Sequence, residues 1–323
     1  MLWLFLLAVV AGFALLLWGA DRFVLGASAT ARNLGVSPLL IGLTVVAFGT
    51  SAPEILVSIA AAWEGQPGLA VGNAIGSNIA NVGLVLGATA LITPLTVHSE
   101  TLKREFPILF VTMLVALALL ADGVLGVLDG VLLLAGLGLM LYWMTGLGAR
   151  QREADPMESE YADEIPLAMP MPRAIMWLGV GLAALLVGSR ALVWGGANLA
   201  AWFGVSDLVI GLTVVALGTS LPELAASAVS AYKGEHDIAI GNILGSNMFN
   251  LLAVLGLPGL LHPHIIDPAV LSRDYPVMIG LAVALFAMSY GFRGPGRINR
   301  LEGVVLLAAY LGHLGLLYAT ATP

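Results

Sequence analysis

Long apolar runs separated by short polar breaks cover almost the whole chain. A helix that spans a bilayer needs about 20 apolar residues, and with that length the pattern predicts about ten membrane spans. No basic residue precedes the first run, which is longer than the apolar core of a signal peptide, so we expect a retained helix there. The predicted spans are 2–20, 38–62, 69–92, 106–121, 123–148, 174–200, 207–232, 237–261, 275–292 and 301–320.

One long polar stretch interrupts the apolar pattern between the fifth and sixth predicted spans. Residues 150–172 contain six acidic residues and four prolines. Prolines at this density prevent a regular helix. We predict a solvated linker, with a regulatory cation-binding loop as the alternative. The chain then divides into a first half, 1–149, the linker, and a second half, 173–323.

The two halves share a repeated segment. Residues 42–87 and 211–256 align without a gap at an offset of 169, and 24 of the 46 positions are identical. Each half holds five predicted spans, an odd number, so the second copy must enter the membrane from the opposite side. We therefore predict an all-α integral membrane protein of about ten transmembrane helices, built as two inverted-topology five-helix repeats. This architecture is typical of secondary transporters.

The composition supports a membrane protein and excludes several functions. Hydrophobic residues make up 59% of the chain and charged residues 10%, whereas soluble proteins average roughly 25% charged. The chain has no cysteine, so it has neither a disulfide framework nor a thiolate metal site. Its 13 basic residues are too few to follow a nucleic acid backbone. No Walker A motif is present, so ATP is not expected as a partner, and we expect no enzymatic activity.

The basic residues predict the orientation. Eleven of the 13 lie on loops, or adjoining helix ends, that follow odd-numbered spans, and only Arg190 and Arg273 lie elsewhere. Lys and Arg are concentrated on the cytoplasmic side of membrane proteins. We therefore predict a multi-pass protein of the cell (inner) membrane with both termini outside and the linker 150–172 in the cytoplasm.

Two acidic residues fall in the middle of predicted spans, at equivalent positions of the repeat. Glu54 lies in the second span and Glu223 in the seventh. An acid at this depth costs about 2.5–3.5 kcal/mol on insertion scales, a cost that is normally tolerated only for function. The alternatives are a structural hydrogen bond from a protonated glutamate, or an ion pair with Arg190.

A proline precedes each of these acids. The two segments read GTSAPE at 49–54 and GTSLPE at 218–223. Pro53 and Pro222 have no N–H to donate to the carbonyls of Gly49 and Gly218, so each predicts a helix break. We expect released carbonyls at 47–50 and 216–219, at the end of a half-helix whose negative dipole attracts cations.

The following spans carry a matched polar stripe. Residues spaced i, i+4 and i+8 share one helix face, and both copies place Asn, Ser and Asn at this spacing. Glycines beside the stripe permit close packing of backbones. Polar contacts that merely hold helices together are the alternative. The stripe residues are Asn73, Ser77 and Asn81 in one copy and Asn242, Ser246 and Asn250 in the other.

These groups favour a hard cation. Carboxylates, carbonyls, hydroxyls and amide oxygens are ligands for Ca²⁺, and His236 is the single histidine in the two repeat segments. Two carboxylates balance one Ca²⁺ or the sodium ions that replace it, so competition for one site would couple the two ions. The alternatives are a proton-coupled or other-cation antiporter of the same fold, a cation channel, and an intramembrane hydrolase.

The doubled motifs also resemble a known family. GTSAPE at 49–54 with GNAIGSNIAN at 72–81, and GTSLPE at 218–223 with GNILGSNMFN at 241–250, are similar to the calcium/cation antiporter superfamily, particularly prokaryotic sodium/calcium exchangers. The resemblance implies that spans 2, 3, 7 and 8 form a core across which spans 1 and 6 slide to alternate access. It also implies a monomer that transports Ca²⁺ and Na⁺ without a permanent cofactor.

The resemblance further implies a role for each motif residue. Glu54 and Glu223 would bridge a central calcium site, with Asn81 and Asn250 lining the middle. One flanking sodium site would be formed by Ala47, Thr50, Ser51 and Ser246, and the other by Ala216, Thr219, Ser220 and Ser77.

Two differences between this chain and other members of the superfamily narrow the expected ion specificity. Potassium-dependent members have an aspartate at the position of Asn250, so we expect no potassium dependence here. Proton/calcium exchangers carry an acid in a GNxxE signature, whereas this chain has Gly76 and Gly245 at that position.

Overall fold

The computed structural model describes residues 2–65, 67–97, 99–151, 169–203, 216–290 and 296–321, and these are almost entirely helical. The described side chains exclude those of 67, 99–104, 145–151, 200, 216–217 and 320–321. Most of the predicted linker and the first part of the predicted seventh span lie outside the described residues. Predictions that fall there stay predictions.

The first half begins with one long helix and continues with helices joined by short π-helical segments. Its elements are α1 (Leu2–Leu34), α2 (Pro38–Ile41), a π-helix (Gly42–Val46), α3 (Ala47–Thr50), α4 (Ala52–Trp63), α5 (Pro67–Ala80), a π-helix (Asn81–Leu86), α6 (Gly87–Ile92), β1 (Leu95–Val97), α7 (Ser99–Leu120), β2 (Val124–Leu125) and α8 (Val127–Gln151).

The second half follows the same order where it is described. Its elements are α9 (Met171–Trp202), α10 (Ala216–Thr219), α11 (Leu221–Tyr232), α12 (His236–Phe249), a π-helix (Asn250–Val254), α13 (Gly256–Leu261), β3 (His264–Ile265), a π-helix (Val270–Asp274), α14 (Tyr275–Ser289), β4 (Gly296–Ile298) and α15 (Arg300–Ala321).

Seven apolar helices among the described residues are long enough to cross a membrane, and the bent pair Pro38–Thr50 and Ala52–Trp63 makes an eighth candidate. The fourth predicted span corresponds to a shorter apolar helix, Glu105–Leu120. Burial separates a centre from a periphery: the apolar window of His236–Leu261 is 100% buried, whereas that of Leu2–Leu34 is 22% buried. The helices that carry the polar stripes therefore lie inside the molecule.

Helices α1 and α9 pack against each other along a row of glycines. A Cβ atom on Gly12 would lie 2.7 Å from the backbone nitrogen of Leu192, and one on Gly19 would lie 2.8 Å from that of Leu185. The partner residue number falls as the α1 number rises, so the two helices are antiparallel. Glycine is needed at these positions because the two backbones are in direct contact.

Two short antiparallel ribbons connect the halves. In one, β1 pairs with β4 and Leu95 lies opposite Ile298. In the other, β2 pairs with β3 and Val124 lies opposite Ile265. Each ribbon takes one strand from each half, and Leu95, Leu125 and Ile298 bury their side chains in the main hydrophobic core.

Candidate cation site

Both glutamates lie directly after a break in a helix. α3 ends at Thr50 and α4 begins at Ala52, with an angle of 43° between the two segments. Pro53 occupies the first turn of α4, a position that tolerates proline because the first N–H groups of a helix have no partner within that helix. Glu54 is in that same turn, and Glu223 has the equivalent position in α11.

One of the carbonyls that we expected to be released at the break remains in the helix. The Ala47 carbonyl accepts a hydrogen bond from the Ser51 N–H at 2.9 Å. Our expectation that this carbonyl leaves the helix ladder is therefore wrong. The reason is local: Pro53 removes only the donor to the Gly49 carbonyl, which lies two residues after Ala47.

The two carboxyl groups lie close together and are each 1% exposed. They are near enough to interact electrostatically. The Ser51 hydroxyl donates to Glu223 Oε1 at 3.4 Å, and the Thr219 side chain hydrogen-bonds to the Glu54 carboxyl. Each acid thus receives a hydroxyl from the other half, so the site forms only where the halves meet.

An asparagine holds the backbone of each glutamate in the same way in both halves. Asn73 donates to the Glu54 carbonyl at 3.0 Å and to the Ser58 hydroxyl at 3.1 Å. Asn242 donates to the Glu223 carbonyl at 3.4 Å and to the hydroxyl of the equivalent serine, Ser227, at 2.9 Å. We did not single out either serine from the sequence. Identity at the offset of 169, four residues after each glutamate, was the available signal.

Buried oxygen atoms without a hydrogen-bond partner collect at this site. A buried polar atom is normally paired, so a group of unpaired oxygens indicates a missing ligand. Hard oxygens of these types suit Ca²⁺ or Na⁺. The buried atoms that lack a partner in the described part of the chain include six oxygens of the predicted site residues: Glu54 Oε2, Glu223 Oε2, Ser220 Oγ, Ser246 Oγ, Asn81 Oδ1 and Asn250 Oδ1.

Hydrogen bonds link several of the predicted residues to one another, and the whole set differs little in burial. Thr219, Asn73 and Pro53 are half-buried. Ala216 belongs to α10, but its side chain is outside the described set. The remaining predicted residues are buried: Glu54, Glu223, Thr50, Ser51, Ser220, Ser77, Ser246, Asn81, Asn250, Ala47, Asn242, Gly49, Gly218 and Pro222.

The glycines beside the stripes behave differently in the two halves. Cβ atoms on Gly241 and Gly245 would collide with the backbone at Leu39 and Leu43, as expected for close packing. Gly72 and Gly76 meet no described residue within 4 Å. The segment equivalent to residues 39–47 is 208–216, which lies largely outside the described residues, so close packing there stays a prediction.

One alternative for the acids is wrong. Arg190 is exposed and, among the described residues, pairs with neither glutamate. No group of three or more His, Cys, Asp or Glu side chains occurs in the described ranges that could hold a metal ion. Cation binding here would therefore use two carboxylates together with neutral oxygens.

A π-helical segment starts at the last asparagine of each stripe, which the sequence pattern did not predict. The segments begin at Asn81 and at Asn250, equivalent residues of the two halves. π-Helical turns are frequent at functional sites because they shift side chains out of the α-helical register.

Comparisons with known proteins identify the family of the chain. The model of the sodium/calcium exchanger protein family matches residues 4–146 and 173–319. CaxA of Alkalimonas amylolytica is 51% identical over 97% of this chain and 98% of its own. The inner membrane protein YrbG of Escherichia coli is 44% identical over 96% of this chain and 95% of its own.

Two further relatives carry exchanger names. The sodium/calcium exchanger MaX1 of Methanosarcina acetivorans is 33% identical over 97% of this chain and 98% of its own. A solved structure of the sodium–calcium exchanger NCX_Mj, soaked with 2.5 mM Na⁺ and 0.1 mM Ca²⁺, superposes with a TM-score of 0.83 at 32% identity and covers 98% of this chain and 99% of that one.

The fold and the site define a helical membrane protein of the cation-exchanger class. The chain belongs to the sodium/calcium exchanger protein family. The resemblance inferred from the doubled motifs is confirmed, and a role in ion transport is the function of that family.

Proposed function

We propose that the protein exchanges Ca²⁺ for Na⁺ across the cell membrane by alternating access. One observation carries this proposal: two acids from the two halves meet in a single buried group of oxygens without hydrogen-bond partners. A buried carboxylate must be balanced by an opposite charge, or it takes up a proton and becomes neutral. One Ca²⁺, or sodium ions in its place, would balance the two carboxylates, and this competition couples the two fluxes.

The residue assignments follow the halves. We place Ca²⁺ between Glu54 and Glu223, with the Asn81 and Asn250 oxygens at the middle. The flanking sodium sites use hydroxyls and carbonyls of the two helix breaks, in the sets that the family resemblance implies. MaX1 and NCX_Mj, whose names include sodium and calcium, support this choice of ions.

Strand pairing supports ten spans in two inverted repeats. Strands that hydrogen-bond must lie on the same side of the membrane. In the predicted layout, β1 and β4 both follow odd-numbered spans, and β2 and β3 both follow even-numbered ones. The Asn33 side chain also donates to the Met169 carbonyl at 2.9 Å, which joins two segments assigned to the cytoplasm. Both termini would then be outside.

Calcium uptake into proteoliposomes tests the proposed exchange. Vesicles loaded with sodium and diluted into sodium-free medium should accumulate Ca²⁺, because outward sodium movement drives inward calcium movement. Potassium-loaded vesicles and vesicles with an imposed proton gradient are the controls. Uptake driven by protons would change the coupling ion, and calcium flux that needs no counter-ion would indicate a channel. Absence of calcium movement under every gradient would refute the proposal.

A further inference from the structure

A second pair of buried asparagines lies beside the two at the centre of the site. Asn78 and Asn247 are equivalent residues of the repeat, and each precedes its stripe asparagine by three positions. Both are at most 1% exposed. Neither belongs to the groups to which we assigned an ion, and nothing in the spacing of the stripe predicted them.

Asn247 contacts a central ligand from the other half. The Asn81 amide nitrogen donates to Asn247 Oδ1 at 3.1 Å. An asparagine side chain has one acceptor oxygen and one donor nitrogen. Because this bond uses the nitrogen of Asn81, it leaves the Asn81 oxygen, which has no partner among the described residues, free to bind a cation.

The equivalent bond in the other half is not formed. By the repeat, Asn78 should accept from Asn250 as Asn247 does from Asn81. Instead, neither amide atom of Asn78 has a hydrogen-bond partner in the described part of the chain. The two halves therefore differ at one hydrogen bond, between residues that are identical in type.

We propose that Asn247 is a positioning residue that turns the oxygen of Asn81 toward the transported ion. Asn78 makes no equivalent bond to Asn250, so this support exists in one half only. This inference rests on the proposed exchange function, because an oriented oxygen matters only if an ion binds there.

Substitution of Asn247 separates orientation from packing. We expect Asn247→Ala to raise the calcium concentration for half-maximal transport by about tenfold, the factor that corresponds to roughly one hydrogen bond, with little change in maximal rate. Asn247→Asp keeps the acceptor oxygen and should restore most of the affinity. Asn78→Ala is the matched control: Asn78 is equally buried but makes no hydrogen bond to Asn250, so this variant should keep the wild-type calcium dependence.

Thermal melting gives two readouts that need no transport: the melting temperature itself, which reports stability, and its rise with added Ca²⁺, which reports binding. In purified protein, this rise should shrink in Asn247→Ala. An Asn247→Ala protein that melts earlier but keeps the wild-type calcium dependence would overturn the proposal, as would equal effects of Asn247→Ala and Asn78→Ala on calcium binding. If wild-type protein binds calcium but fails to exchange it, the proposed function fails while the positioning role still stands.

A different observation concerns ion pairs between the outer helix pair and the core. Lys233, in the turn between α11 and α12, forms an ion pair with Asp21 of α1 at 2.7 Å. In the same turn, Glu235 accepts a hydrogen bond from Ser28 of α1 at 3.0 Å. Burial raises the pKa of the Glu235 carboxyl, and the Ser28 hydrogen bond partly offsets this. Two contacts therefore attach α1 to this turn.

The repeat places an opposite pair on the other side. At the offset of 169, Asp21 corresponds to Arg190 of α9, and Lys233 corresponds to Glu64 in the turn after α4. The charges are exchanged, but the pair stays complementary. Within the described part of the chain, Arg190 and Glu64 form no ion pair with each other, and both are exposed.

The geometry points to two alternating latches, Asp21–Lys233 and Glu64–Arg190, each closed in one of the two access states. In an inverted repeat the halves exchange conformations, so a contact closed on one side implies an open equivalent on the other. This inference also rests on the proposed alternating access.

Cysteine crosslinking tests the latches directly because the natural chain has no cysteine. Asp21→Cys with Lys233→Cys, and Glu64→Cys with Arg190→Cys, should each crosslink, and each crosslink should stop exchange until it is reduced. In a protein with all four substitutions, one crosslink should exclude the other. A Glu64–Arg190 variant that never crosslinks, or a molecule with both crosslinks, would refute the latches. Gel mobility reads the crosslinks without any transport assay, so a failure of exchange is recognised separately.

Discussion

At the scale of single residues, the site depends on hydrogen bonds that cross between the halves. Ser51 donates to Glu223, and Thr219 reaches Glu54. The Thr50 hydroxyl donates to Asn242 Oδ1 at 3.0 Å, although the family resemblance places Thr50 at an ion. A sodium ion at that position would compete with this bond, so binding and a local rearrangement are linked.

We predict that Glu54→Gln or Glu223→Gln abolishes calcium transport while the protein still folds. Removal of one carboxylate leaves a single negative charge for a divalent ion, and the initial uptake rate should fall by about 100-fold, which corresponds to roughly 3 kcal/mol. Uptake in proteoliposomes measures the effect. Glu302→Gln is the control, because Glu302 accepts from the Asn299 N–H at the start of α15, and an amide oxygen can do the same. Exchange at the wild-type rate in either site variant would refute the assignment.

The sequence predicted the acids and the breaks better than their surroundings. The position of Pro53 before Glu54 indicated the break because proline acts on its own helix. The Ala47 carbonyl and the π-helical start at Asn81 depend on how neighbouring helices pack, which no local pattern encodes. Ser58 and Asn247 could have been found from the repeat alone, but their hydrogen bonds needed the structure.

At the scale of elements, the backbone contact between α1 and α9 is the main constraint on their relative position. Glycines at every seventh residue of α1, at 12, 19 and 26, face α9, and the equivalents 181, 188 and 195 face α1. Under the proposed alternating access, a helix pair in such close contact would move as one body against the core. The second half of α1 is also buried, including Phe23, Val24 and Ala27.

Alanine substitutions at two helix glycines should therefore have opposite effects. A Cβ on Gly19 would lie 2.8 Å from the backbone of Leu185, so Gly19→Ala should lower the free energy of unfolding by about 1–3 kcal/mol. Gly312 of α15 meets nothing within 4 Å, so Gly312→Ala should be neutral or stabilising by up to about 1 kcal/mol. Thermal melting in detergent measures both. Equal melting temperatures for the two variants would argue against close contact between α1 and α9.

At the scale of the whole molecule, the orientation can be tested without touching the site. Single cysteines introduced as Ser159→Cys in the linker and Thr322→Cys near the C-terminus should label from opposite sides. A membrane-impermeant maleimide should reach the second in intact cells, and the first only after permeabilisation. Labelling of both from the same side would contradict an odd number of spans in the second half.

The pairing of β1 with a strand of the other half has a consequence for biosynthesis. β1 leaves the ribosome long before its partner β4, because residues 95–97 pair with residues 296–298 near the end of the chain. The first half therefore enters the membrane with an unpaired strand and an incomplete ion site, and translation of the second half must finish before either closes. Two polypeptides divided within 150–172 should consequently rebuild a working transporter when they are synthesised together, whereas either one alone would be left to membrane quality control.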